Sequence, residues 1–154
     1  MKSKTNIKLE LSKNERKGLR KNKIKKSEIL EYASDELAVL LNISDLRAKE
    51  IYALADFQRI PSIGIELAKD LVFLDFYSVQ ELNGESGAVL TDRYEKKKGY
   101  KIDPCVEDQF RLVVNFAKNK DYSKKWWDFT DERKRYRTDF GYPENRPKVN
   151  WTEF

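Results

Sequence analysis

Ile60-Pro61-Ser62-Ile63-Gly64, followed directly by Ile65-Glu66-Leu67-Ala68-Lys69-Asp70-Leu71, is the stretch that decides the fold. Pro61 has no amide hydrogen and steers Arg59 and Ile60 away from a continuing helix, while Gly64 can take backbone conformations that side chains resist. Helical spacing resumes at once with Ile65, Leu67, Ala68, Leu71 and Val72 and predicts a helix to about Leu74. Upstream, Ser44 is a natural N-cap for a helix that carries Ala48, Ile51, Tyr52 and Ala55 on one face before the chain reaches Phe57. The result is two helices joined by a tight hairpin.

Working outward, Ile29, Leu30, Ala33, Leu37, Leu40 and Leu41 keep the three-four spacing of a helical face, and Ser27 stands before them as a cap. The spacing predicts a helix from about Ser27 to Asn42. Beyond the hairpin, Ser78 to Leu82 reads as a single turn and Asn83-Gly84 as a break. A helix over Ser86 to Lys98 is stopped by Gly99, behind lysines that suit a helix C-terminus. Asp103 as cap and Pro104 at the first helical position open another helix to about Lys118. Thr130 can cap a short basic helix through Arg137, and Gly141 onward reads as extended. No segment keeps the alternation of a strand, so the fold class is all-α.

An echo at an offset of 20 residues aligns Leu40-Leu41-Asn42-Ile43-Ser44 with the hairpin, and Ala48 and Ile51 with Ala68 and Leu71. Either two hairpins share one middle helix, or two successive helices match by chance.

Charge is unevenly placed. Up to Lys26 there are eleven basic residues against Glu10 and Glu15, a net +9, which leaves −4 for the remainder of a chain whose total is +5. This reads as a basic flexible arm over 1–26, a helical domain over 27–140 and an extended tail over 141–154. The arm either attracts a polyanion or is a solvated terminus. The lone Cys105 allows no intrachain disulfide and fits a reducing, cytoplasmic setting, and no apolar run approaches a membrane span. Histidine is absent, which excludes histidine-based triads and zinc sites.

The chemistry expected of the hairpin is anion binding. A tight turn opening into a helix leaves backbone N–H groups unpaired at the positive end of the helix dipole, where a phosphate oxygen fits. The expected site is Ser62, Gly64 and Ile65 through their backbone, with Arg59 and Lys69 assisting. Such contacts position a nucleic acid without reading its sequence. Glu66 in the first helical turn opposes a phosphate. The alternative is that Ile60, Ile63 and Leu67 only pack a helical corner.

The same residues resemble the helix-hairpin-helix motif, whose usual hairpin is hydrophobic, Pro, Gly, hydrophobic, Gly; Ser62 stands where its first glycine is usual. Ile102-Asp103-Pro104-Cys105-Val106, then Phe110-Arg111, then Trp126-Trp127-Asp128-Phe129-Thr130-Asp131-Glu132-Arg133-Lys134 extend the likeness. In this order the blocks resemble the bacterial "pathogenicity locus" family, some members of which are labelled mitomycin-resistance proteins, over about Ser34 to Tyr142. The resemblance implies a helix-hairpin-helix protein without an established catalytic activity.

Other candidates are weaker. Cys105, in the first turn of a helix, could become a thiolate, but no histidine stands ready as its base. Asp103, Glu107 and Asp108 either cap their helix or hold a divalent metal. Trp126 and Trp127 either stack bases or pack as a lid, and adjacent positions cannot both face one way. Arg133, Lys134, Arg135 and Arg137 form a second basic cluster, a solvated face or a backbone contact. The sequence thus predicts sequence-independent DNA binding without catalysis, cofactor or metal, with a protein-protein adaptor as the alternative.

Overall fold

A computed structural model describes residues 6–154. All its regular elements are helical, and the only bridge pairing among the described residues is a single one between Lys101 and Asn150. The chain divides into two compact units, the first closing at Val79 and the second running Gln80–Phe154. The helical domain expected over 27–140 takes in parts of both units.

The first unit begins where an arm was expected. Ser12 and Glu15 form a capping box, Glu15 N–H donating to Ser12 Oγ at 3.0 Å and Ser12 N–H to Glu15 Oε1 at 2.8 Å, and this starts α1 (Lys13–Lys21). Ile7, Leu9, Leu19 and Ile24 are buried. Lys8 N–H donates to Gln58 Oε1 at 3.1 Å, and Gln58 Nε2 donates back to the Lys8 carbonyl at 2.6 Å. From residue 6 the basic segment is therefore part of the fold, because Ile7, Leu9, Leu19 and Ile24 find the core. Lysine content had masked them.

The helix expected over Ser27 to Asn42 is two pieces. A 3-10 turn (Lys26–Glu31) and α2 (Ser34–Leu41) are separated by extended Tyr32 and Ala33, because Glu36 Oε1 accepts from Ala33 N–H at 3.0 Å and sets a new helix start. α3 (Asp45–Phe57) comes next with Ser44 Oγ accepting from Arg47 N–H at 3.1 Å, and α4 (Ile65–Phe73) lies beyond the hairpin. α1 packs on α2, α2 on α3 and α3 on α4. Ala48 and Ala68 are fully buried, as the close approach of paired helices requires, with Ile51 and Leu71 beside them. At the two echoing turns Asn42 and Ser62 both carry positive φ, and Ser44 and Gly64 both occupy N-cap positions.

In the second unit α5 (Gly87–Lys98), capped by Ser86 and ended at Gly99, packs on α6 (Pro104–Asn119). Asp103 Oδ1 accepts from Cys105 N–H at 2.9 Å to start α6. A 3-10 turn (Trp126–Phe129) anchored by buried Phe129 leads into α7 (Thr130–Phe140), which reaches one turn beyond the expected end. α7 buries no residue of its own. Charges hold it on α6 instead: Arg133 Nε donates to Asp108 Oδ1 at 2.6 Å, Arg137 Nε to Glu107 Oε1 at 2.9 Å, and Thr130 Oγ1 to Asp108 Oδ2 at 2.8 Å. The expected tail is tied down as well. Arg146 pairs with buried Glu95 at 2.8 Å and lies 3.5 Å from the Tyr142 ring centroid, and Trp151 N–H donates to the Lys101 carbonyl at 2.8 Å.

Candidate nucleic-acid interface

The hairpin sorts its residues by polarity. Ile60 and Ile63 point inward and are fully buried, and Ile63 N–H donates to the Ile60 carbonyl at 3.2 Å to close the turn. Ser62 stands at φ 64°, the left-handed region, which explains why a glycine is usual there and why a small side chain serves in its place. Gly64 is exposed, sits at the N-cap of α4 and, lacking a side chain, leaves the first-turn amides without a side-chain cap. A Cβ built on Gly64 would meet nothing within 4 Å. Its φ of −108° is open to any residue, so Gly64 is there for clearance and not for backbone freedom. Half-buried Ile65 is the first residue of α4.

The two assisting cations are occupied. Arg59 pairs at 2.8 Å with Asp56, a buried carboxylate that also accepts from Val79 N–H at 2.7 Å, so Arg59 holds the hairpin entry against the end of the unit. Lys69 reaches Glu10 at 3.3 Å and Glu66 at 3.5 Å, both of them exposed, and the hydrogen bond to Glu10, helped by both carboxylate charges, holds the Lys69 ammonium above its ordinary pKa. Such exposed pairs contribute little and exchange readily. The five expected site residues thus share one end of the α3–α4 pair. Arg59 is turned to a structural task.

Sequence reasoning missed that the basic segment is folded into the hairpin's unit, with α1 at the α2–α3 turn, where Glu15 pairs with Arg47 and Asn22 bonds the Leu40 carbonyl. Lys8 is bonded to Gln58 and Glu10 to Lys69, so the stretch of chain entering α1 lies along both arms of the hairpin. Lys13, Arg16, Lys17, Arg20 and Lys21 of α1 are all exposed. The capping signature Ser12-x-x-Glu15 was the available signal. Arg47 is committed elsewhere: its guanidinium donates to Glu15 at 2.8 and 3.0 Å and lowers the Glu15 carboxyl below the usual carboxylate range, against the opposing pull of burial.

A family model described as pathogenicity locus (Cdd1) matches residues 50–135, more than half of the chain. The chain belongs to this family. The pathogenicity-locus match begins inside α3, takes in the whole hairpin and ends inside α7, while basic α1 lies outside it. No curated protein and no solved structure matches significantly.

Within the pathogenicity-locus span, the remaining candidates resolve in physical terms. Burial, and then neighbouring Asp103, push the Cys105 thiol above its ordinary pKa, against the pull of the helix start. Glu107 and Asp108, together with Arg133 and Arg137, are engaged in buried ion pairs. Among the described residues no group of acidic or cysteine side chains is arranged to hold a metal, and no helix is long and apolar enough to cross a membrane.

Proposed function

We propose that this protein binds nucleic acid, DNA foremost, by its sugar-phosphate backbone and without reading sequence, through the hairpin amides around Ser62, Gly64 and Ile65. The observation that carries the reading is exposed Gly64 at an uncapped helix start, with open space where its Cβ would be. A phosphate can approach there as closely as backbone N–H groups require. The exposed cations of α1, fixed in the same unit, add long-range attraction, and Lys69 can exchange Glu10 for a phosphate. The protein acts as a binder and not as an enzyme, with no cofactor, in the cytoplasm. The test is anisotropy titration of duplex DNA with the full chain and with Gly64→Glu.

A second reading, a protein-protein adaptor, draws on Val39 and Leu46, which stand 81% and 55% exposed where α2 turns into α3. Two apolar side chains are a small patch. Charge reversal at Gly64 separates the readings, because a partner seated on Val39 and Leu46 is indifferent to it.

A further inference from the structure

Trp127 is 54% exposed, while Phe116 and Phe129 nearby are buried. The chain around it is well fixed. Tyr122 stacks edge-on against fully buried Phe116 with ring centroids 5.0 Å apart. Asp121 accepts from Ser123 N–H and Oγ at 2.9 and 2.6 Å, and Asp128 accepts from Lys125 N–H at 2.8 Å. Phe129 anchors the 3-10 turn, which packs on α6. Trp126 meets Trp127 edge-on, centroids 5.4 Å apart and planes at 83°. One indole therefore braces the other and leaves much of it open to solvent.

The surrounding charge is net positive, with eight basic against four acidic residues within ten positions of Trp127. Lys118, Lys120, Lys124 and Lys125 lie within ten residues of Trp127, and among the described residues none of them is in an ion pair. Asp121, Asp128 and Asp131 are the opposing charges, Asp121 within electrostatic reach of Lys124, while Glu132 pairs with Arg111 at 3.1 Å. An exposed indole braced by Trp126, in a loop whose lysines are outside any ion pair, Lys120 lying over the Phe116 ring, matches what an unpaired base and its neighbouring phosphates need: a stacking face, and cations for the backbone.

We infer that Trp127, with Lys120, Lys124 and Lys125, is a stacking site for an unpaired base of single-stranded DNA, separate from the hairpin. The inference rests on the proposed function for the class of partner alone, since the site lies in the second unit and uses none of the hairpin residues. A base lies on the Trp127 face while the flanking phosphates meet the loop lysines. Because every base has a π face, the site takes single strands with little sequence preference, and paired duplex bases, already stacked, are poor ligands.

The test is titration of the full chain with oligo(dT) about 12 nucleotides long, a length within the site sizes single-strand binders use. Tryptophan emission and anisotropy are both read, for wild type, Trp127→Ala, Trp127→Phe and the pair Lys124→Ala with Lys125→Ala. The expected result is quenching, an affinity loss of roughly ten-fold for Trp127→Ala and a much smaller one for Trp127→Phe, which keeps an aromatic face. The lysine pair should reduce the salt slope by about 1.4, from roughly 0.7 per single-strand phosphate contact. Oligo(dT) binding that is equal in wild type and Trp127→Ala overturns the inference, as does equal Trp127-dependent quenching by polyglutamate, which has charge but no bases. The Gly64→Glu variant separates the two sites. Loss of duplex binding there, with oligo(dT) unaffected by Trp127→Ala, keeps the hairpin and removes the stacking site; the reverse pattern removes the hairpin and keeps the stacking site.

Discussion

Ser62 stands 20 residues beyond Asn42, and both hold the left-handed backbone conformation, with φ of 64° and 53°. The echo seen in the sequence is thus repeated in backbone geometry, with α3 closing one turn and opening the next. The turns differ at the helix start each one feeds: Ser44 caps α3 with its hydroxyl, whereas Gly64 leaves α4 open. A β-branched side chain at Ser62 would be strained, so Ser62→Val should cost about 1–2 kcal/mol, while Ser62→Gly should be neutral or better. Urea unfolding of the three proteins checks this. A Ser62→Val midpoint equal to wild type contradicts the assigned backbone.

Gly87 opens α5 against α6 at a distance no side chain tolerates. A Cβ there would come 2.8 Å from Arg111 Cα and 2.9 Å from its backbone nitrogen, and backbone cannot swing aside. Gly87→Ala should therefore destabilise by about 1–3 kcal/mol despite the better helix propensity of alanine. Thermal denaturation measures it, and a raised Tm would refute the contact.

Arg133 and Asp108 form a buried ion pair joining α7 to α6, with no part of the Asp108 side chain exposed. Removing the guanidinium leaves a buried carboxylate without its counter-charge, so Arg133→Met should cost about 3–5 kcal/mol. Adding Asp108→Asn should recover part of the loss, since a neutral amide can still accept from the Thr130 hydroxyl. Chemical denaturation of both proteins tests the pair, and no recovery in the double variant argues against it.

Glu15 makes stability depend on acid. Arg47 holds its carboxyl below the ordinary value of 4.5, so the native state favours the charged form. That contribution is fully present above the unfolded value and is lost as pH falls through the depressed native one. Glu15→Gln should accordingly cost about 2 kcal/mol at neutral pH, the scale of hydrogen bonds to a charged group, and the gap to wild type should close in acid. Urea midpoints across this range measure the gap; a constant difference would contradict the pairing.

How much was legible can be judged from particular residues. α4, α5 and α6 begin and end within a residue or so of their expected places because Gly64, Ser86, Gly99, Asp103 and Pro104 are local signals that act on the backbone next to them. α1 was hidden because its apolar contribution is thin, and Ile7, Leu9 and Ile24 become core only once the segment is laid beside Gln58. The break at Tyr32 and Ala33 was hidden because the apolar spacing runs through it, and only the Glu36 capping bond shows it. For the site, the hairpin residues were readable from Pro61, Ser62 and Gly64. The commitment of Arg59 to Asp56 depends on a buried carboxylate that local sequence does not reveal.

The measurement that bears most directly on the central claim is anisotropy titration of a short duplex with the full chain and with Gly64→Glu, each at about 50 and 200 mM salt, with circular dichroism as the folding control. Gly64 has an ordinary φ and open space around it, so the substitution keeps the helices. The account predicts that wild type binds and weakens roughly 500-fold across that salt range if about five phosphates are neutralised, and that Gly64→Glu loses at least about ten-fold in affinity at the lower salt. Equal binding by the two proteins, or binding indifferent to salt, contradicts it.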